Sequence, residues 1–242
     1  MESKAMKEIL ELIDTKKEKL SQLPFFRFLQ EKSIHPHQRL AWAPCYAPLA
    51  MSFTDLLKYD FRREPAIDKV QELLNNHTYD EATHYIWYLQ DIEKLGFNQP
   101  QKFTDFLKFI WSEDTSKTRQ IYREITKLTD KADSVVLLAM MEMIEAATYV
   151  FFSNTKKVAE ELQGITHEKY NFFGDHHIDA ETAHDLWNTG TEDFIKSIQL
   201  TKLQQEEARY AVEKIFDMVV EFVDGLMRYA EKYPVQKQLV SV

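Results

Sequence analysis

Three stretches of this chain gather side chains of the kinds that bind metals or move protons. In Tyr79-Asp80-Glu81-Ala82-Thr83-His84 a glutamate and a histidine stand three residues apart. On a helix that spacing puts both on one face, where they can close on a single ion. The second stretch, residues 135–152, is an apolar run whose only charges are Glu142 and Glu145. A carboxylate buried there needs a cation, a proton or a metal, because losing its water uncompensated is costly. Glu145 shares its helical face with Leu138, Met141, Tyr149 and Phe152 and is the stronger candidate. Glu142 is the reserve, a group that would stand behind the ligands, and an ion pair with Lys or Arg is the plainer account of either. The third stretch, Phe172 to His184, places His177, Glu181 and His184 at i, i+4 and i+7, in phase on one helical face. That phase requires the helix to start near Asp175; a start at Asp179 would leave His177 outside it, and His176 is the alternative imidazole. A solvated charged patch is the bland reading of the same residues.

Together these stretches offer Glu81, His84, Glu145, His177, Glu181 and His184, three carboxylates and three imidazoles. Mixed oxygen and nitrogen ligation without thiolate suits iron, with manganese as the alternative, and six such groups are what two first-row ions would take in a helical core. Structural zinc usually recruits cysteine, and the chain has only Cys45. Cys45 beside Pro44 reads as a small core residue, and one cysteine excludes an internal disulfide.

The elements that must position these groups read as helices. Apolar residues make up 44% of 242 residues and glycine only five, too few turn formers for a sandwich or barrel. Helical periodicity predicts segments at 3–21, 68–76, 79–95, 103–111, 118–128, 133–152 with 156–163, 175–188 and 201–232. Pro24 should close the first, Gly96 and Gly164 should end two others, and Pro44 and Pro48 should kink 35–57. No Gly-, Ser- or Pro-rich linker divides the chain, so we expect one all-α domain over 1–242, with 1–34 as a helical extension and 35–232 as the core. The net charge of −9 argues against nucleic acid. The charged, amphipathic N-terminus and the absence of an uncharged apolar run of membrane length predict a cytoplasmic protein outside the membrane.

With Glu81-x-x-His84 on an early helix, Glu145 on an apolar central one and His177-x3-Glu181-x2-His184 on a later one, the sequence resembles the haem-oxygenase-like di-iron oxidases. These are relatives by fold of the TenA thiaminases and the quinone-cofactor synthase PqqC. The Asp91-Ile92-Glu93-Lys94-Leu95-Gly96 ending of the first motif's helix is similar to this family as well, and the likeness spans roughly 35–230. It implies a bundle of about seven core helices and a non-haem site for two irons. It further implies ferrous iron and O2 used by an oxidoreductase to oxidise a small organic substrate, with Glu145 or Glu181 as the bridging, catalytic carboxylate. Such a fold is compatible with a homodimer.

Other readings of the same residues remain. Haem oxygenase chemistry would need a Gly-rich helix to accompany His35 or His37, and thiaminase chemistry a cysteine past mid-chain. A ferritin-like protein would need a Glu about 30 residues before Glu81, where Ala47, Pro48, Met51 and Asp55 stand. A metal-free scaffold, or a cofactor-free enzyme using His84 or His184 in acid–base work, would keep the fold without the ions. His77, Tyr88, Glu142 and Tyr149 are candidates for the substrate pocket, along with Trp42, Tyr46 and Phe53. His35, His37, His167 and His176 read as structural or surface residues.

Overall fold

The computed structural model describes residues 4–183 and 189–235. Helices follow one another as α1 (Lys7–Ser21), α2 (Pro24–Gln30), α3 (Pro36–Arg39), α4 (Ala47–Leu56), α5 (Lys69–Asp80) and α6 (His84–Lys94). After them come α7 (Phe103–Ile110), α8 (Ser116–Thr129), α9 (Ser134–Thr166), α10 (Asp175–Ala183), α11 (Thr189–Ser197) and α12 (Lys202–Lys232). The class is all-α. Among the described residues the only strands are the two-residue β1 (Lys4–Ala5) and β2 (Gln199–Leu200), an antiparallel pair that no sequence alternation announces.

The 33-residue α9 is the centre of the bundle, with α1, α2, α5, α10 and α12 laid against it. Its start is fixed by Asp133, whose carboxylate accepts the Val135 and Val136 N–H groups. Most of its residues from Ser134 to Leu162 are buried. By length and hydropathy α9 could cross a membrane, but 78% of its most apolar window is buried within the fold. The other helices therefore account for its apolar surface. Opposite it, α12 opens with a capping box between Thr201 and Gln204 and buries Ala208, Ala211, Ile215, Phe222 and Leu226 at helical spacing. Within the expected 1–34 extension, α1 and α2 join the same core, since Ile9, Ile13, Leu20, Phe25 and Phe26 are all buried.

Boundaries differ from the sequence reading at several points, and α11 was not expected. Pro24 follows the end of α1, as expected, but also opens α2 as its first residue, where a missing N–H costs nothing. Gly164 does not stop α9, which runs on to Thr166 and ends where His167 turns left-handed at φ 61°. The continuous helix expected over 79–95 is interrupted by a 3-10 turn, Glu81–Thr83, between α5 and α6. The prolines act as expected: Pro44 lies in a 3-10 segment (Ala43–Tyr46) and Pro48 at the start of α4.

Candidate metal centre

The interruption between α5 and α6 falls on the first motif. In a 3-10 turn residues three apart stand in line along the axis, so Glu81 and His84 are stacked rather than offset. Glu81 Oε2 lies 2.8 Å from His84 Nδ1, and both side chains are buried. The third member comes from α10, about 90 residues further along the chain. α10 starts at Asp175, so His177 lies within its first turn. Its buried ring lies edge-on to His84 with centroids 4.9 Å apart. One ligand atom from each of Glu81, His84 and His177 lies within 4.8 Å of the others, the spacing of groups able to share one ion.

Burial sets the charge state of this cluster. It pushes the Glu81 carboxyl up to about 7, with His77 pulling the other way, and it pushes His84 down to about 4. Each shift disfavours charge in a dry wall. His84 is thus a neutral imidazole at pH 7, with a lone pair to give. A divalent cation would stabilise the ionised form of Glu81 that burial disfavours. His177 Nδ1 donates to the Phe172 carbonyl at 3.0 Å, which puts that ring's lone pair on Nε2. This outer hydrogen bond is the usual companion of a ligating histidine. Two oxygen or nitrogen donor types, all buried and none a thiol, fit a first-row ion.

Glu145 lies outside the cluster but lines the same cavity. It is buried, and its Oε1 meets His77 Nε2 at 3.0 Å. Glu142, one turn earlier on α9, is only partly buried, and burial still pushes its carboxyl up to about 7. Glu181 belongs to α10, but its side chain lies outside the described residues, as does His184 entirely.

Glu81, His84, Glu145 and His177 line one cavity, of about 90 Å³. Its remaining wall is mostly apolar, with Tyr46 and Phe53 from the α4 region, Phe151 and Phe152 from α9, and Phe222 from α12. Of the residues expected at the pocket, Tyr46 and Phe53 line this cavity, whereas Trp42, His77, Tyr88, Glu142 and Tyr149 are not in its lining. Tyr88 is not part of the lining: its hydroxyl donates to the Ala43 carbonyl in the core, and the phase of α6 presents Tyr85 instead. Tyr149 is 40% exposed with the Lys17 ammonium over its ring, while Thr148 and Phe152 take the inward positions on α9. His77 sits behind Glu145 rather than on the cavity surface.

Two residues outside the candidate set shape the site. The Trp87 indole stacks on the His84 ring at 4.3 Å and meets His177 edge-on at 5.8 Å. Its position three residues after His84 was the available signal. Asp91, fully buried, accepts backbone N–H groups from Asn171, Phe172 and Phe173 at 2.9, 2.8 and 3.0 Å, fastening the loop before α10. No spacing rule links Asp91 to a loop 80 residues away. Gly174 completes that loop, since a Cβ there would come within 2.1 Å of the Tyr170 carbonyl oxygen.

The other histidines have structural places. His37 Nε2 donates to the Leu95 carbonyl, His35 Nδ1 accepts the His37 N–H at the start of α3, and His176 is exposed beside Trp87. Cys45 is buried with its thiol on the Asp114 carbonyl, and burial pushes it up to about 12, so it is no nucleophile. No protein-family model and no curated protein matches this chain.

Proposed function

We propose that this chain is a non-haem, iron-dependent oxidase or oxygenase that acts on a small apolar substrate and O2. The observation that supports it is the convergence of Glu81, His84 and His177 within 4.8 Å on the wall of a cavity that Glu145 shares. Glu81, His84 and His177 would hold one ion. Glu145 from α9, with Glu181 and His184 as the resemblance implies, would complete a place for a second. Iron bound there would supply the electrons with which O2 is activated; manganese is the alternative metal.

The chain's own residues do the rest. The aromatic wall binds substrate by burying it, at about 0.8 kcal/mol for each CH2 removed from water. The same wall keeps water from the reacting centre, which strengthens every charge interaction there. His77 Nε2–H, held against Glu145 Oε1, fixes the rotamer of that carboxylate and is placed to exchange a proton with it.

Anaerobic loading with ferrous ion followed by an O2 pulse tests this reading. O2 should be consumed in proportion to bound iron, faster than by free ferrous ion, and the effect should vanish in His84→Ala. Bound iron that reacts no faster than free ion would count against it. A metal-free acid–base enzyme in the same cavity has one observation in its favour, the Glu81 carboxyl poised at about 7. Activity that survives chelation would identify that alternative.

A further inference from the structure

The strongest polar network outside the cluster converges on one peptide group. Asp91 is fully buried at the α6 end of the site. Its Oδ2 accepts the Phe173 N–H at 3.0 Å, and its two oxygens also accept from Asn171 and Phe172. The Phe173 N–H and the Phe172 carbonyl are the two ends of a single peptide bond. That carbonyl accepts from His177 Nδ1 at 3.0 Å. The order is therefore carboxylate, peptide, imidazole, with the metal-facing nitrogen at the far end.

We propose that Asp91 is a positioning residue for the metal centre, acting on His177 through the Phe172–Phe173 peptide. An anion on the N–H side of a peptide polarises it and makes its carbonyl a stronger acceptor. The His177 ring is then held in one tautomer and one orientation, with more electron density on Nε2. Ligating histidines commonly lean on a carboxylate directly; here a peptide bond is interposed. The geometry explains why a carboxylate is fully buried with its strongest bonds to backbone, when burying it costs more than an apolar side chain would. Gly174, which must approach Tyr170 closely, lets the loop hold all these bonds at once.

The inference rests on the metal reading and makes a prediction for Asp91→Asn, which keeps the size but loses the charge and one acceptor. In protein labelled with 15N-histidine, the His177 Nδ1 proton, assigned by its absence in His177→Ala, should resonate downfield and exchange slowly. It should move upfield in Asp91→Asn. Manganous and ferrous affinity should fall on the order of 10- to 100-fold, with the far-ultraviolet circular dichroism unchanged. Asp91→Glu, which retains the charge, should recover part of both effects. An unshifted proton with unchanged affinity in Asp91→Asn would overturn the proposal and leave Asp91 a loop fastener. Should Asp91→Asn not fold, the wild-type proton decides: one that exchanges with water too fast to be seen overturns the relay. A wild-type protein that binds neither ion would refute the metal reading instead, while the proton signal still tests the hydrogen-bond relay.

Discussion

His77 and Glu145 meet at 3.0 Å, both buried, and what each would do alone is the test of the pair. Replacing His77 by Phe removes the imidazole that Glu145 faces. We expect a loss of about 2–3 kcal/mol in urea unfolding of the metal-free protein, the scale of a buried charge-assisted bond broken on one side. Glu142 makes a prediction in pH. Its carboxyl is raised in the fold from the ordinary 4.5 to about 7 by burial, so the folded state holds that proton more tightly than the unfolded chain. Its favourable contribution is present below about 4.5 and is lost as pH rises to about 7. Glu142→Gln should accordingly raise Tm at pH 8 by about 2–4 °C per kcal/mol recovered. The gain should shrink as pH falls to 5, measured by thermal scans in chelator; a gain independent of pH would contradict the assignment. At this scale much of the site was legible. Glu81, His84, Glu145 and His177 stand out because carboxylates and imidazoles at helical spacing in apolar company are conspicuous. Asp91 and Trp87 do not stand out, because their roles come from where distant backbone and rings approach them.

The 3-10 turn at 81–83 and the loop at 171–174 are the elements that make the centre. The turn was not readable in advance: Asp80-Glu81-Ala82-Thr83-His84 has no Gly or Pro, and helical periodicity continues on both sides of it. Starts were readable: the segments expected from 133 and 201 open one residue later as α9 and α12, behind Asp133 and Thr201 as their caps. Glycine carried opposite meanings that sequence alone did not separate. Gly164 sits inside α9 with open space where a Cβ would go, so Gly164→Ala should stabilise by up to about 1 kcal/mol. Gly174 has no such space. Gly174→Ala should displace the loop from Asp91 and weaken manganous binding far more than it lowers Tm, as read by titration beside a thermal scan.

For the whole molecule, the outcome is a bundle wrapped around α9, whose hydropathy would suit a membrane but whose neighbours cover most of it. The bundle leaves a mostly apolar cavity whose lining includes the Glu81, His84 and His177 cluster. Binding of an apolar ligand and binding of a metal should then be separable. Val219→Phe, on the α12 wall of the cavity, should abolish uptake of an apolar fluorescent probe while leaving the manganous affinity intact. A joint loss would mean that the cavity and the cluster are not independent.

The central claim is that Glu81, His84 and His177 form a metal centre, and metal stoichiometry tests it most directly. Chelator-free protein should be titrated anaerobically with ferrous ion and its metal content measured after desalting. Between one and two ions per chain should be retained, the second depending on Glu145, with binding lost in both His84→Ala and His177→Ala although each variant stays folded. No retention of ferrous, manganous or zinc ion by the wild-type chain, or retention undiminished in those two variants, would contradict it.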